Sequence, residues 1–162
     1  GSDPYQEDMF QNRDPIAVCR SYLQDLYTCL RRIDPALFSA LAHLDYLAKG
    51  FGATYLPDGL FRYAYAPDEM DALMRYAIEH GHCIEINTSC PQSLCGNDAP
   101  VLGWLKRYPE LGGEFVTFGS DAHQVRRFGE GLELAKERAR EAGIRYVATY
   151  TAMQPELHLL GD

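Results

Sequence analysis

At 162 residues the chain fits one domain and falls short of the roughly 200–250 residues of a complete (β/α) barrel. A composition of 46% hydrophobic and 23% charged residues excludes a largely disordered chain, and no apolar run reaches the ~18 residues that span a bilayer. Fifteen Lys and Arg against 23 Asp and Glu give a net charge of −8, which argues against nonspecific attraction to nucleic acid or anionic lipid while permitting a local phosphate site.

Gly1-Ser2, with no initiator Met, reads as a tag-cleavage scar, leaving 3–162 as the expected α/β domain. Asp14-Pro15 supplies an N-cap and a first-turn proline. Ile16, Cys19, Leu23, Leu26, Tyr27 and Leu30 then recur at helical spacing, predicting a helix over 15–32. The apolar run Leu37–Ala42 predicts a buried strand, ending at His43-Leu44-Asp45. Residues 48–66, rich in Gly and Tyr without a clean period, predict a long loop. Pro67-Asp68 opens a helix closed by Gly81, and Cys83–Asn87 predicts a strand followed by the turn-rich Thr88–Asn97. A helix over 99–108, a strand over 114–118, a helix from about 129 to 142 and a strand over 145–151 complete the pattern. Apolar strands alternating with amphipathic helices imply a parallel sheet with helices outside it.

Ligands in such folds bind beyond the carboxyl ends of the strands. Three strand ends deliver polar groups there: His43 and Asp45 after the first, Glu85, Asn87 and Ser89 at the second, Ser120, Asp121 and His123 after the third. In an extended Asp121-x-His123 both side chains point one way and can face one Zn, Fe or Mn ion, whose open position yields hydroxide near neutral pH. Asp-x-His is equally a loop-capping pair, and His43 alone is a buried histidine bonded at a strand end. Glu85 inside an apolar run needs a cationic partner or hydrogen bonds, which is as compatible with an internal salt bridge as with a site role.

Other candidates point to ordinary structure. His80 and His82 flank a helix-ending Gly on a solvated face. The five cysteines lack paired C-x-x-C zinc knuckles, and with no secretory segment they read as free thiols of a cytoplasmic protein. Arg126-Arg127 can meet an anion but are typical of a surface. Trp104 shares helical spacing with Val101 and Leu105, as core residues do.

Together, His43-Leu44-Asp45-Tyr46, Ile84-Glu85-Ile86-Asn87-Thr88-Ser89 and Thr117-Phe118-Gly119-Ser120-Asp121-Ala122-His123 resemble the polymerase-and-histidinol-phosphatase (PHP) superfamily, in its histidinol-phosphatase branch. The closing Tyr146–Thr151 and the opening Asp3–Phe10 with the helix after it resemble the same enzymes. The resemblance implies part of a distorted (β/α)7 barrel, with about four of its strands present and divalent metal at the carboxyl rim. It implies hydrolysis of a phosphomonoester, histidinol phosphate first among them. His43, Asp121 and His123 are then metal ligands and catalytic groups, and Asp45, Glu85, Asn87 and Ser120 orient them. The family's His-x-His is not found in this chain, and His80-Gly81-His82 precedes a strand where the family's motif ends one. The arginine that often follows Glu-Ile-Asn-Thr-Ser gives way to Cys90-Pro91-Gln92, leaving Lys49 and Arg126 as the cations for a phosphate.

These residues imply an incomplete metal cluster and a chain of low activity alone. A complementary amino-terminal half, or a second copy pairing at an open sheet edge, is the implied partner. The alternatives are a non-catalytic half-barrel and an unrelated small α/β protein.

Overall fold

The computed structural model describes residues 7–161; Gly1-Ser2, expected to be a scar, Asp3–Gln6 and Asp162 lie outside them. Asp14 caps helix α1 (Pro15–Leu30), its carboxylate accepting from the Ile16 amide at 3.1 Å. The helix ends two residues before the expected 32 and buries Val18, Cys19, Leu23 and Leu30. Asp34 caps a 3-10 turn over Pro35–Leu37. That turn takes up the start of the predicted strand, leaving β1 only two residues, Ala40–Leu41.

The expected loop over 48–66 is not structureless. It contains the short helix α2 (Gly52–Tyr55) and 3-10 turns that bury Leu56, Phe61 and Ala66. Phe10 stacks on Tyr55 at 5.5 Å between ring centroids. Turns this short leave no hydrophobic period in the sequence.

Helix α3 (Pro67–Glu79) buries Met70, Leu73, Met74, Tyr76 and Ala77 and passes through Gly81 (φ 71°) into β2 (Cys83–Asn87). A one-turn helix α4 (Pro91–Leu94) precedes α5 (Pro100–Glu110), whose Trp104, Leu105 and Tyr108 fill the core. Strand β3 (Phe115–Gly119) follows, then α6 (Leu132–Glu141), which starts late because Gly129 and Gly131 lie at φ 77° and 80°. Strand β4 (Tyr146–Thr151) ends in a two-residue turn into β5 (Gln154–Leu159), which the sequence pattern did not reveal.

One sheet results, ordered β1-β2-β3-β4-β5, the first four strands parallel and β5 antiparallel to β4. The register sets Leu41 beside Ile84 and Asn87 beside Gly119, so the strand ends line up on one rim. Helix α1 packs on α3, α3 on α5 and α5 on α6, with α3 against β2 and α6 against β3. Ile84, Ile86 and Val116 enter this core, so by alternation Glu85, Asn87 and Thr117 face away from it.

The β4–β5 hairpin reaches back to the segment leading into β1. The Tyr150 hydroxyl donates to the Ser39 carbonyl at 3.0 Å, and Ser39 Oγ donates to Met153 Sδ at 3.6 Å. The outer edge of β1 is unpaired among the described residues and flanks an apolar groove of about 370 Å³ lined by Leu26, Leu30, Ile33, Leu37, Phe38 and Leu41. No helix among the described residues is long and apolar enough to cross a membrane.

A candidate metal centre at the strand ends

His43 is the hub of the rim. Just beyond β1 it adopts φ 52°, a left-handed conformation that costs a residue with a Cβ about 1–2 kcal/mol. Its amide donates to Glu85 Oε2 at 3.1 Å, and its carbonyl accepts from the Tyr46 amide at 2.9 Å, closing the turn over Asp45. Asp45 is 3% exposed. Its Oδ1 lies 2.7 Å from His43 Nδ1, and its Oδ2 accepts from the Ser93 hydroxyl at 2.8 Å. An ionised carboxylate only accepts, so the proton is placed on His43 Nδ1, which leaves Nε2 as an acceptor toward the rim. A carboxylate fixing an imidazole this way is the usual support of a metal-bound histidine.

Glu85 resolves without a cation. Its Oε2 also accepts from Asn87 Nδ2 at 3.1 Å, so a backbone amide and a side-chain amide satisfy it in place of a salt bridge. This arrangement depends on Gly119, where a Cβ would fall 1.9 Å from Glu85 Oε1. Asn87 Oδ1 in turn accepts from the amide of Ser89 at 3.0 Å and from its hydroxyl. Ser89 Oγ also lies 3.2 Å from His43 Nε2.

Asp121 brings the third strand end to the same place, though not as expected. Its φ of 49° takes Asp121 out of the extended conformation, so the strand does not continue through Asp121-x-His123. Asp121 Oδ1 nonetheless lies 3.4 Å from His123 Nε2, and Oδ2 lies 3.9 Å from His43 Nε2. The His123 side chain is 88% exposed. Lys49 Nζ is 2.8 Å from Asp121 Oδ2, and this direct bond holds the Asp121 carboxyl below the usual carboxylate range. The charge of Lys49 and a bond from Ser89 act in the same direction.

The rim therefore gathers His43, Asp45, Lys49, Glu85, Asn87 and Asp121, with His123 at its edge. Ser120 is half-buried and its hydroxyl joins none of these bonds, while Arg126 is exposed on a 3-10 turn. Among the described residues no three His, Cys, Asp or Glu side chains stand together as a metal-holding group. The donor set nevertheless suits a divalent ion as a partial centre, because a carboxylate-braced imidazole nitrogen faces an Asp carboxylate. Two serines complete the network, Ser89 and Ser93, of which only Ser93 has no signal in the sequence. Ser93 was hidden in a turn-rich stretch, buried on the first turn after Pro91. Ser89 stood within the motif without an assigned role.

The remaining candidates behave as ordinary structure. His80 Nδ1 bonds the Tyr76 carbonyl at 2.8 Å and His82 packs on Phe38 at 4.4 Å, both away from the rim. All five cysteines are free, and burial pushes the Cys83 thiol up to about 11.

No family model matches the chain. A probable histidinol-phosphatase of Clostridium acetobutylicum is 30% identical over 149 residues, 91% of this chain and 55% of that protein. One of Thermotoga maritima is 28% identical over 138 residues, 85% of this chain and 54% of that protein. The crystal structure of histidinol phosphate phosphatase from Lactococcus lactis, complexed with zinc, L-histidinol and phosphate, shares the fold with a TM-score of 0.73 at 20% identity, over 94% of this chain and 56% of that one. The chain thus spans about half the length of the curated relatives it matches. Over most of its length the chain is similar to histidinol-phosphatases, a likeness consistent with a carboxyl-terminal portion of such a protein.

Proposed function

We propose that this chain supplies half of the metal-dependent active site of a cytoplasmic phosphomonoesterase acting on histidinol phosphate. The observation that supports the reading best is His43, braced by Asp45 at 2.7 Å and facing Asp121 at 3.9 Å. In this reading His43 Nε2, Asp121 and His123 hold a divalent ion (Zn, Fe or Mn) as part of an incomplete cluster. When bound, the ion supplies an activated hydroxide and neutralises phosphate charge. Asp45, Glu85 and Asn87 keep the His43 turn in place, and Ser120 shapes the approach to Asp121. Lys49 and Arg126 draw the anionic substrate. With so few ligands the chain hydrolyses phosphomonoesters far more slowly than a full-length relative.

The decisive measurement follows phosphate release from histidinol phosphate with added zinc or manganese, for this chain beside a full-length relative. Slow, metal-dependent release that His43→Ala abolishes is expected. Release at the full-length rate sinks the incomplete-centre reading, and release indifferent to His43→Ala sinks the site.

A second reading, a non-catalytic association module, draws on the unpaired β1 edge and the groove beside it, where Leu37 is 72% exposed. Its occupant is a complementary half-barrel or a second copy. A clean monomer by size-exclusion chromatography, indifferent to Leu37→Glu, counts against it.

A further inference from the structure

Lys49 follows the His43–Asp45 turn and crosses the rim to Asp121. Its ammonium is 2.8 Å from Asp121 Oδ2, the same oxygen that lies 3.9 Å from His43 Nε2. It also sits 5.9 Å from the centre of the Tyr46 ring, and its side chain is 17% exposed. The carboxylate oxygen that an ion between His43 and Asp121 requires is therefore already satisfied by a cation of the chain itself. An ammonium and a divalent ion on one oxygen repel strongly at this separation.

Building on the phosphatase reading above, we propose that Lys49 is an exchangeable counter-cation of the metal centre. It holds Asp121 in place and neutralised before the metal enters, and it is displaced when a divalent ion binds. Its freed ammonium then faces the anionic phosphoester at the same rim. Because coupling between two ligands is reciprocal, an anion that draws Lys49 away also tightens the metal. Arginine at this place would hold phosphate in a bidentate grip; a lysine is a mobile point charge that can serve first one anion and then the other.

The chain has three lysines, which makes the exchange measurable. Zinc is titrated calorimetrically into the wild type, Lys49→Met and His43→Ala, with and without inorganic phosphate. In parallel, acylation of Lys49 by an amine-reactive ester is read by mass spectrometry against Lys106 and Lys136, which pair with Glu141 and Glu133. Lys49→Met is expected to bind zinc about tenfold more tightly than the wild type. Phosphate should tighten zinc binding in the wild type only, and zinc should raise Lys49 acylation severalfold against the other two lysines. Should Lys49→Met not fold, Lys49→Gln and the wild-type acylation decide the matter. Unchanged or weaker zinc binding by the Lys49 variant, or Lys49 acylation unmoved by zinc, overturns the exchange while His43→Ala still loses zinc. Zinc binding that survives His43→Ala unchanged removes the rim reading itself, and the exchange with it.

Discussion

The rim and the β4–β5 hairpin use the same backbone device for different ends. At the rim, His43 (φ 52°) and Asp121 (φ 49°) stand in the left-handed region, and both carry side chains of the candidate metal centre. In the hairpin, Ala152 (φ 49°) and Met153 (φ 68°) stand there too, forming a two-residue turn with no chemistry in either side chain. The rim's strained turns are held by bonds from outside the turn: Glu85 on the His43 amide, Asp45 on its ring, Lys49 on Asp121. The hairpin's turn is held mainly by strand pairing on both sides, with one weak bond from Ser39 Oγ to Met153 Sδ. Strain that an enclosing network maintains for its side chains differs in kind from strain left by imperfect turn chemistry.

Three perturbations test that difference, the largest first. Asp45→Asn leaves His43 without its carboxylate and should weaken zinc binding by about 10–100-fold in a calorimetric titration, as losses of such support usually do. A much smaller change would mean that Asp45 matters only for the fold. Gly119→Ala drives a Cβ into Glu85 and frees the His43 amide. About 1–3 kcal/mol should be lost in urea unfolding, with weakened zinc binding alongside. At the hairpin the sign reverses. Ala152→Asn with Met153→Gly supplies the residues that a turn with two positive φ values prefers, and should add about 1–2 kcal/mol without touching zinc affinity.

The smallest effect tests a charge remote from both regions. The Arg107 guanidinium, bonding Asp71 at 2.7 Å, holds that carboxyl below its ordinary value of 3.8. Stability from this pair is complete above the unfolded carboxyl's pKa and is lost as pH falls through the lower folded value. Asp71→Asn should therefore lower the thermal midpoint near pH 7 and converge with the wild type in strong acid. It should leave zinc binding at the rim unchanged.

The rim was legible because parallel strands must end somewhere, and their polar ends share one side. His43, Asp45 and Glu85 could be placed together on that topology alone. Ser93 was invisible because its role is fixed by a buried neighbour 48 residues away, a tertiary fact with no local pattern. Strand β5 was hidden because Ala-Met replaces the usual Asn-Gly at its turn and Pro155 interrupts the run. The ordered stretch between 48 and 66 was hidden for another reason. Its burial is distributed over single turns, each shorter than any periodic window.

The bond from Tyr150 to Ser39 joins residues 111 apart. Entropy of loop closure grows with that separation, so contacts of this range are made late, after shorter loops have closed. On that ground β2 and β3 are expected to pair across α4 and α5 before the hairpin docks onto Ser39, an expectation that unfolding kinetics test. Tyr150→Phe should then hasten unfolding in stopped-flow measurements and leave the refolding rate unchanged.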